Sequence, residues 1–333
     1  MTPEVKLLVY FVVSAAVSLC AAPFAVRLLK RLRAGQTVLG YVTQHEHKTG
    51  TPTMGGVIFL LPLVVVCAAE HTAFAVVGLA VTLGFAALGF LDDFIKIRFH
   101  RNLGLKPYQK IVGQLGISGI AAYFCFAFPE TGSALFLPFG GGEADLGGGI
   151  IPFVILVYVA TVNSVNLTDG LDGLAATSSA GYFLTFALLT FMLFSDAVAA
   201  GEGERAEELF SLSAFSVALL GGLLGYLVFN SNPAVVMMGD TGSLGLGAAV
   251  ATVAVFSRTE LLLPVAGIMF VWSSISVIVQ VLSFKCTGRR VFLMAPFHHH
   301  LEMKGFSEPR ICALYLVLTL AAGALTLIFA RIV

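Results

Sequence analysis

The 333-residue chain is 58% hydrophobic and 11% charged, with 19 Lys and Arg balanced by 19 Asp and Glu, and its mean hydropathy is +0.93. Soluble domains carry about 25% charged residues, so a water-soluble globular protein is excluded and a polytopic membrane protein remains. Twenty-eight Phe, a single Trp and 35 Gly suit closely packed membrane helices.

Apolar windows of about 17–25 residues mark membrane helices. Ten are read in chain order: 5–29, 53–69, 73–94, 111–128, 150–166, 176–194, 209–229, 242–256, 261–284 and 311–332. The fold expected is all-α, one transmembrane domain over residues 1–333. The first helix is followed, not preceded, by its basic cluster (Arg27, Lys30, Arg31, Arg33), which favours a retained anchor over a cleaved signal peptide. The loops after helices one, three and nine hold fifteen of the nineteen Lys and Arg. Lys6, Arg205, Arg258 and Arg331 fall on the other side. The positive-inside rule makes the first set cytoplasmic and puts both termini outside. The Gly-rich and acidic stretches "PETGSALFLPFGGGEADLGGG" and "SDAVAAGEGERAEEL" read as solvated outer connectors. The five cysteines (Cys20, Cys67, Cys125, Cys286, Cys312) are scattered without CxxC spacing. They support neither a zinc site nor a disulfide framework.

Every polar cluster of note falls on the cytoplasmic side, where one active site accounts for all of them. In "HKTGTPTMGG", Thr51 can cap helix two with Pro52 at its first position, and Gly55 and Gly56 allow close approach. In "LGFLDDFIK", Asp92 and Asp93 close helix three, where acids oppose the helix dipole. They lie about 100° apart on a helical wheel and so are not expected to point the same way. "NSVNLTDGLDGLAA" repeats Asn163, Asn166, Asp169 and Asp172 at triplet spacing, which gathers neighbouring members on one side of a helix or 3-10 turn. In "NSNPAVVMMGDTGSLGLG", Thr241 or Ser243 can cap helix eight, whose free N–H groups attract phosphate. A carboxylate such as Asp240 beside a phosphate implies a divalent cation, and Mg²⁺ prefers one or two carboxylates plus phosphate oxygens. The run His298-His299-His300 splays through about 200° on a helix. It cannot converge on one metal and is read as contacting an anionic substrate, helped by Lys285, Arg289, Arg290 and Lys304.

Carboxylates, Mg²⁺, phosphate-friendly helix starts and basic loops at one interface indicate phosphoryl transfer between a soluble phosphorylated donor and a lipid acceptor. A secondary transporter, the rival class, would carry its ionisable residues near the bilayer midplane in broken helices, often with repeat symmetry.

"GTPTMGG", "LGFLDDFIK", "NLTDGLDGLA", "MGDTGSLGLG" and "MAPFHHHLE" together resemble the phospho-N-acetylmuramoyl-pentapeptide transferases over essentially the whole chain. The paired acids and DGLDG are shared with the wider polyprenyl-phosphate N-acetylhexosamine-1-phosphate transferases, some of which use a UDP-GlcNAc donor. "GTPTMGG" and the HHH run are specific to the muramoyl-pentapeptide branch. The resemblance implies a multi-pass protein of the bacterial plasma membrane and no nucleic-acid partner. It implies transfer of phospho-MurNAc-pentapeptide from UDP-MurNAc-pentapeptide to undecaprenyl phosphate, with Mg²⁺, by a homodimer. Carried onto this chain, Asp92 would be the base on the lipid phosphate, Asp93 would sit beside the metal, and Asp240 would be its principal ligand. Lys96 and Lys110 would lie near the phosphates. Lys48, Thr53, Asn166, Asp169, Asp172, Asn230 and Gln280 would line the nucleotide and diphosphate pocket. His299, with His298 and His300, would take the sugar-phosphate side. Met237 stands where the family usually has a uracil-stacking Phe, so more of the base recognition would fall to Asp172 as acceptor for the uracil N3–H.

Overall fold

A computed structural model describes residues 1–32, 50–99, 103–138 and 142–331. Lys48 lies outside the described residues. Among those described, nine helices are long and apolar enough to cross a membrane. They are α1 (Pro3–Arg31), α3 (Ala73–Arg98), α4 (Pro107–Ala127), α5 (Ile150–Thr168), α6 (Leu174–Ala200), α7 (Gly203–Asn230), α8 (Gly239–Phe256), α10 (Ile268–Thr287) and α12 (Glu308–Phe329). Three shorter helices complete the set: α2 (Val57–Glu70), α9 (Leu263–Ala266) and α11 (Phe297–Met303).

The expected all-α membrane bundle is therefore found, with three corrections. Helix two does not start at residue 53. It begins at Val57 after a non-helical Thr51–Gly56 segment and runs 14 residues, about 21 Å at 1.5 Å per residue. Its N-cap is Gly56, not Thr51. The ninth predicted helix is broken, with a 3-10 turn (Glu260–Leu262) and α9 separated from α10 by Gly267. The first outer connector is not merely solvated chain. It forms an antiparallel hairpin, β1 (Ala134–Leu137) with β2 (Gly142–Asp145), in the register Leu135 to Ala144.

α8 is the axis of the bundle, buried without interruption from Thr241 to Phe256. Small residues make that possible, because helices in lipid associate by close backbone packing instead of hydrophobic exclusion. A Cβ on Gly56 would sit 2.1 Å from the Gly242 Cα, and one on Gly89 would sit 2.0 Å from the Asp240 carbonyl oxygen. The first contact holds the TMGG segment against α8, and the second presses the end of α3 onto its start. Backbone hydrogen bonds from Gly55 N to Met237 O (2.9 Å), from Gly56 N to Met238 O (3.2 Å) and from Met237 N to Pro52 O (2.8 Å) tie the same strands of chain. The close approach expected of Gly55 and Gly56 is thus to protein backbone.

The two ends of the bundle differ in electrostatics. At the end holding the α1 N-terminus and the α12 C-terminus, each of the four Lys and Arg meets an acid. Lys6 pairs with Glu70 (2.8 Å), Arg205 with Glu202 (3.7 Å), Arg258 with Glu143 (2.9 Å) and Arg331 with Asp196 (2.8 Å). Glu208 of α7 also accepts from Ala73 N (3.0 Å) and Phe74 N (2.7 Å), satisfying orphan donors at the start of α3. Among the described residues, the acids Asp92, Asp93 and Asp240 with Lys96 and Lys110 gather at the opposite end.

Candidate active site

Asp92 and Asp93 stand in the last two turns of α3, which runs on to Arg98 instead of closing at the acids, and α8 begins with Asp240 in its first turn, where a negative charge suits the helix dipole. The three carboxylates converge, with ligand oxygens all within 4.8 Å of one another. Convergence of Asp92 with Asp93 departs from the helical-wheel expectation. The close crossing at Gly89 sets the start of α8 against this end of α3, where Asp93 bonds its backbone directly and Asp92 shares Lys96 and Lys110 with Asp240. Two lysines offset the charge. Lys96 Nζ lies 2.6 Å from Asp92 Oδ2 and 2.8 Å from Asp240 Oδ2, and Lys110 Nζ lies 2.8 Å from Asp240 Oδ2 and 3.6 Å from Asp92 Oδ1. Three carboxylates against two ammonium groups leave one net negative charge.

The three acids are not equivalent. Asp93 accepts from Asp240 N (3.2 Å), Thr241 N (2.9 Å) and the Thr241 hydroxyl (2.8 Å). It caps α8 from a neighbouring helix, doing the work expected of Thr241 or Ser243. Neither of those caps its own helix; the N-cap residue is Met238, with no side-chain bond. Asp92 Oδ1 accepts from Leu105 N (2.8 Å), so the segment leading into α4 folds over it. A Cβ on Gly104 would meet the Asp92 carboxylate at 2.6 Å, a constraint the GLKPYQK stretch signalled only by its Gly. Asp240 keeps Oδ2 for the lysines and accepts from Asn166 Nδ2 (2.8 Å) at Oδ1, while the same Asn166 nitrogen donates to Ser243 Oγ (2.7 Å). Thr53 is buried at the same corner, where a Cβ on Gly239 would meet both its hydroxyl (2.5 Å) and Asp93 Oδ2 (2.6 Å).

The Asn and Asp triplet does not share one surface. Asn163 turns away to Gln114 (2.8 Å), and only Asn166 reaches the cluster. Asp169 is the C-cap of α5 and partly buried. Burial, with the Asp240, Asp93 and Asp172 charges, pushes its carboxyl up to about 8. Asp172 Oδ2 accepts from Ala234 N (3.0 Å) and Asn232 Nδ2 (3.2 Å), and its backbone N–H donates to Glu308 Oε2 (2.8 Å). It therefore clamps the α7–α8 loop and the start of α12.

The triplet histidines take three directions, as their spacing requires. His298 is fully buried, and a Cβ on Gly170 would lie 2.2 Å from its Nε2, so α11 docks on the DGLDG turn. His299 Nδ1 meets Glu302 Oε2 at 3.0 Å. His300 Nδ1 accepts from Leu293 N (3.1 Å), and burial and Lys304 hold it below the usual histidine value.

A family model described as glycosyl transferase family 4 matches residues 74–258. A phospho-N-acetylmuramoyl-pentapeptide-transferase signature matches residues 48–60. The chain is 42% identical over 330 residues to the phospho-N-acetylmuramoyl-pentapeptide-transferase of Heliobacterium modesticaldum, covering 98% of each chain. It is 43% identical over 312 residues to that of Moorella thermoacetica, covering 93% of this chain and 94% of the other. It belongs to the phospho-N-acetylmuramoyl-pentapeptide transferases. The carboxylate cluster of this transferase falls inside the matched region, and the TMGG backbone that braces α8 falls inside the signature.

The remaining residues brought forward by the resemblance shape the transferase's loops. Asn230 is buried and donates to Val236 O (3.0 Å). Gln280 accepts from Val291 N (3.0 Å) and Phe292 N (2.9 Å) and donates to Phe292 O (3.0 Å), fastening the segment between α10 and α11. Met237 is half-buried in the loop before α8. Glu308 and Leu105 N were not foreseen as parts of the site, and Ser243, expected as a cap, instead accepts from Asn166; Glu308 signalled itself only as an acid in the first turn of α12. The hard, oxygen-only donor set of Asp92, Asp93 and Asp240 fits a divalent cation such as Mg²⁺. Asp93 gives three of its acceptor positions to the start of α8, so Asp240 is the better principal ligand, with Asp92 and Asp93 on either side of it.

Proposed function

We propose that the transferase moves phospho-MurNAc-pentapeptide from UDP-MurNAc-pentapeptide to undecaprenyl phosphate, releasing UMP and forming lipid I at the cytoplasmic face of the bacterial plasma membrane. The carboxylate cluster flanked by Lys96 and Lys110, in a chain of this family, is the observation that carries the reading. Support for the orientation comes from the fifteen basic residues in the loops after helices one, three and nine.

An oxygen of the lipid phosphate attacks the sugar-linked phosphorus of the donor. The new bond is lipid O–P, the broken one is P–O to UMP, and UMP leaves with the bond's electron pair. A phosphate monoester has a second pKa near 6, so Asp92 is suited to take the residual proton from the attacking oxygen. Lys96 and Lys110, now paired with Asp240, turn to the diphosphate as charge builds on the leaving oxygen. Asp240 would be the principal holder of Mg²⁺, which when bound neutralises diphosphate charge, and this leaves Asp92 to act as the base. Asp93 does not touch the reactants in this scheme; it keeps the start of α8 and hence Asp240 in register. Recognition of the nucleotide and diphosphate falls to Lys48, Thr53, Asn166, Asp169 and Asp172 and that of the sugar to the histidines of α11, with residues 1–333 working as one domain in a homodimer. Comparing donors tests the reading: UMP should be released from UDP-MurNAc-pentapeptide and not from UDP-GlcNAc. Equal use of UDP-GlcNAc would move the protein to the other branch of the superfamily.

A further inference from the structure

At the end of the bundle opposite the carboxylate cluster lies a feature that phosphoryl transfer leaves unused. A cavity of about 270 Å³ opens between the ends of α6, α8 and α12, the hairpin and the start of α7. Four Lys and Arg residues belong to this end, and three of them, Arg205, Arg258 and Arg331, line this one cavity. Convergence of three guanidinium groups repels unless an anion lies among them.

The acids present match them poorly. Arg258 Nη2 lies 2.9 Å from Glu143 Oε2 but without hydrogen-bond geometry, while its Nε donates to the Ala134 carbonyl (3.0 Å). Arg205 stands 3.7 Å from Glu202 and 3.5 Å from the Glu130 carbonyl, both long for firm bonds. Arg331 has the one two-oxygen contact among the three, meeting Asp196 at 3.1 and 2.8 Å. Glu143 and Asp196, the two acids lining the cavity, have side chains 56% and 52% exposed and can swing into water. Among the lining residues three guanidiniums face two carboxylates, and the third acid nearby, Glu202, stands outside the lining with its side chain 56% exposed. The neighbouring Glu260 is buried, which pushes its carboxyl up to about 8, so it subtracts little at neutral pH. Arg258 also holds a backbone φ of +61°, a region that non-glycine residues seldom adopt. Such outliers cluster at ligand clamps.

We propose that this cavity binds a phosphate-bearing anion, either the headgroup of an anionic phospholipid or free phosphate. Guanidinium forks match phosphate oxygens in pairs, and Phe136, Leu189 and Leu193 give the same cavity an apolar wall for the first carbons of a lipid. The site is separate from the transfer reaction, and its existence does not depend on the reaction scheme.

The test measures binding of dihexanoyl phosphatidylglycerol and of inorganic phosphate to the full-length protein in detergent, with dihexanoyl phosphatidylcholine as the zwitterionic reference. Arg205→Gln with Arg331→Gln should weaken binding of the anionic probe on the order of tenfold or more, as expected when charged hydrogen bonds are lost. Glu143→Gln with Asp196→Asn should tighten it, a gain that misfolding cannot imitate. Both pairs should retain lipid I synthesis. Saturation by phosphatidylglycerol but not by phosphate assigns a lipid headgroup, and saturation by phosphate alone assigns a soluble anion. Binding that ignores both pairs of substitutions, or equals that of phosphatidylcholine, overturns the proposal.

Discussion

Replacing Asp93 by Asn separates a positioning role from a metal-binding one. In the wild type its carboxylate accepts from Asp240 N, Thr241 N and the Thr241 hydroxyl at 3.2, 2.9 and 2.8 Å. An Asn can turn its one oxygen towards the two Thr241 donors, but its NH₂ then faces Asp240 N, donor against donor. Two bonds lose their charge assistance and one buried N–H is left unpaired, at about 1–3 kcal/mol for the unpaired group. The expected destabilisation is about 2–4 kcal/mol, roughly 3–6 °C in unfolding temperature for a chain of this size. Cys67 and Cys125 are buried, so a thiol-reactive dye followed on heating in detergent reports the transition. Turnover should fall as well, because Asp240 loses its register. Asp240→Asn provides the contrast. It leaves two carboxylates for two ammonium groups and keeps the α8 cap, so unfolding should shift less than in Asp93→Asn while transfer falls on the order of 10²-fold. An unchanged unfolding temperature in Asp93→Asn, with activity lost, would refute the capping role and return Asp93 to the metal.

Gly56→Ala should prevent stable folding, since its Cβ would lie 2.1 Å from the Gly242 Cα; a normal expression level and unfolding curve would contradict this. Asp169 has a folded-state value above that of the unfolded chain, so folding holds an extra proton between about pH 4 and 8 and stability should fall as pH rises through that window. Asp169→Asn should flatten the profile, which denaturation at several pH values checks. Asp172→Ala should raise the KM for UDP-MurNAc-pentapeptide far more than that for undecaprenyl phosphate; a collapse of kcat with both KM values unchanged would place it in the chemistry. A cysteine at Gly148 should be labelled by an impermeant reagent on intact cells and one at Arg289 only after permeabilisation, and the reverse order would invert the topology.

The long apolar helices were legible because composition and length suffice for a chain dissolved in lipid. What periodicity could not reveal were contacts between distant segments. Thr51-Pro52 has the local pattern of a helix start, yet Pro52 O is occupied by Met237 N and the helix waits until Val57. A helical wheel drawn for α3 alone separates Asp92 from Asp93, and only the crossing of α8 at Gly89 reunites them. The hairpin hid in a Gly-rich connector because two four-residue strands carry too little alternation to read. The acids themselves were legible as functional, since carboxylates beside a membrane helix are costly without a partner. Which of them binds and which braces depended on hydrogen bonds that no motif encodes.

Asp92 and Asp240, with Lys96 and Lys110, are proposed to form a cation-dependent centre for phosphoryl transfer. The direct measurement incubates the purified protein with UDP-MurNAc-pentapeptide and undecaprenyl phosphate, with Mg²⁺ or with EDTA, and quantifies the released nucleotide and the lipid product. The account predicts UMP and lipid I in equal amounts with Mg²⁺, and neither with EDTA or in Asp240→Asn. Release of UDP in place of UMP, or undiminished transfer in EDTA, would contradict it.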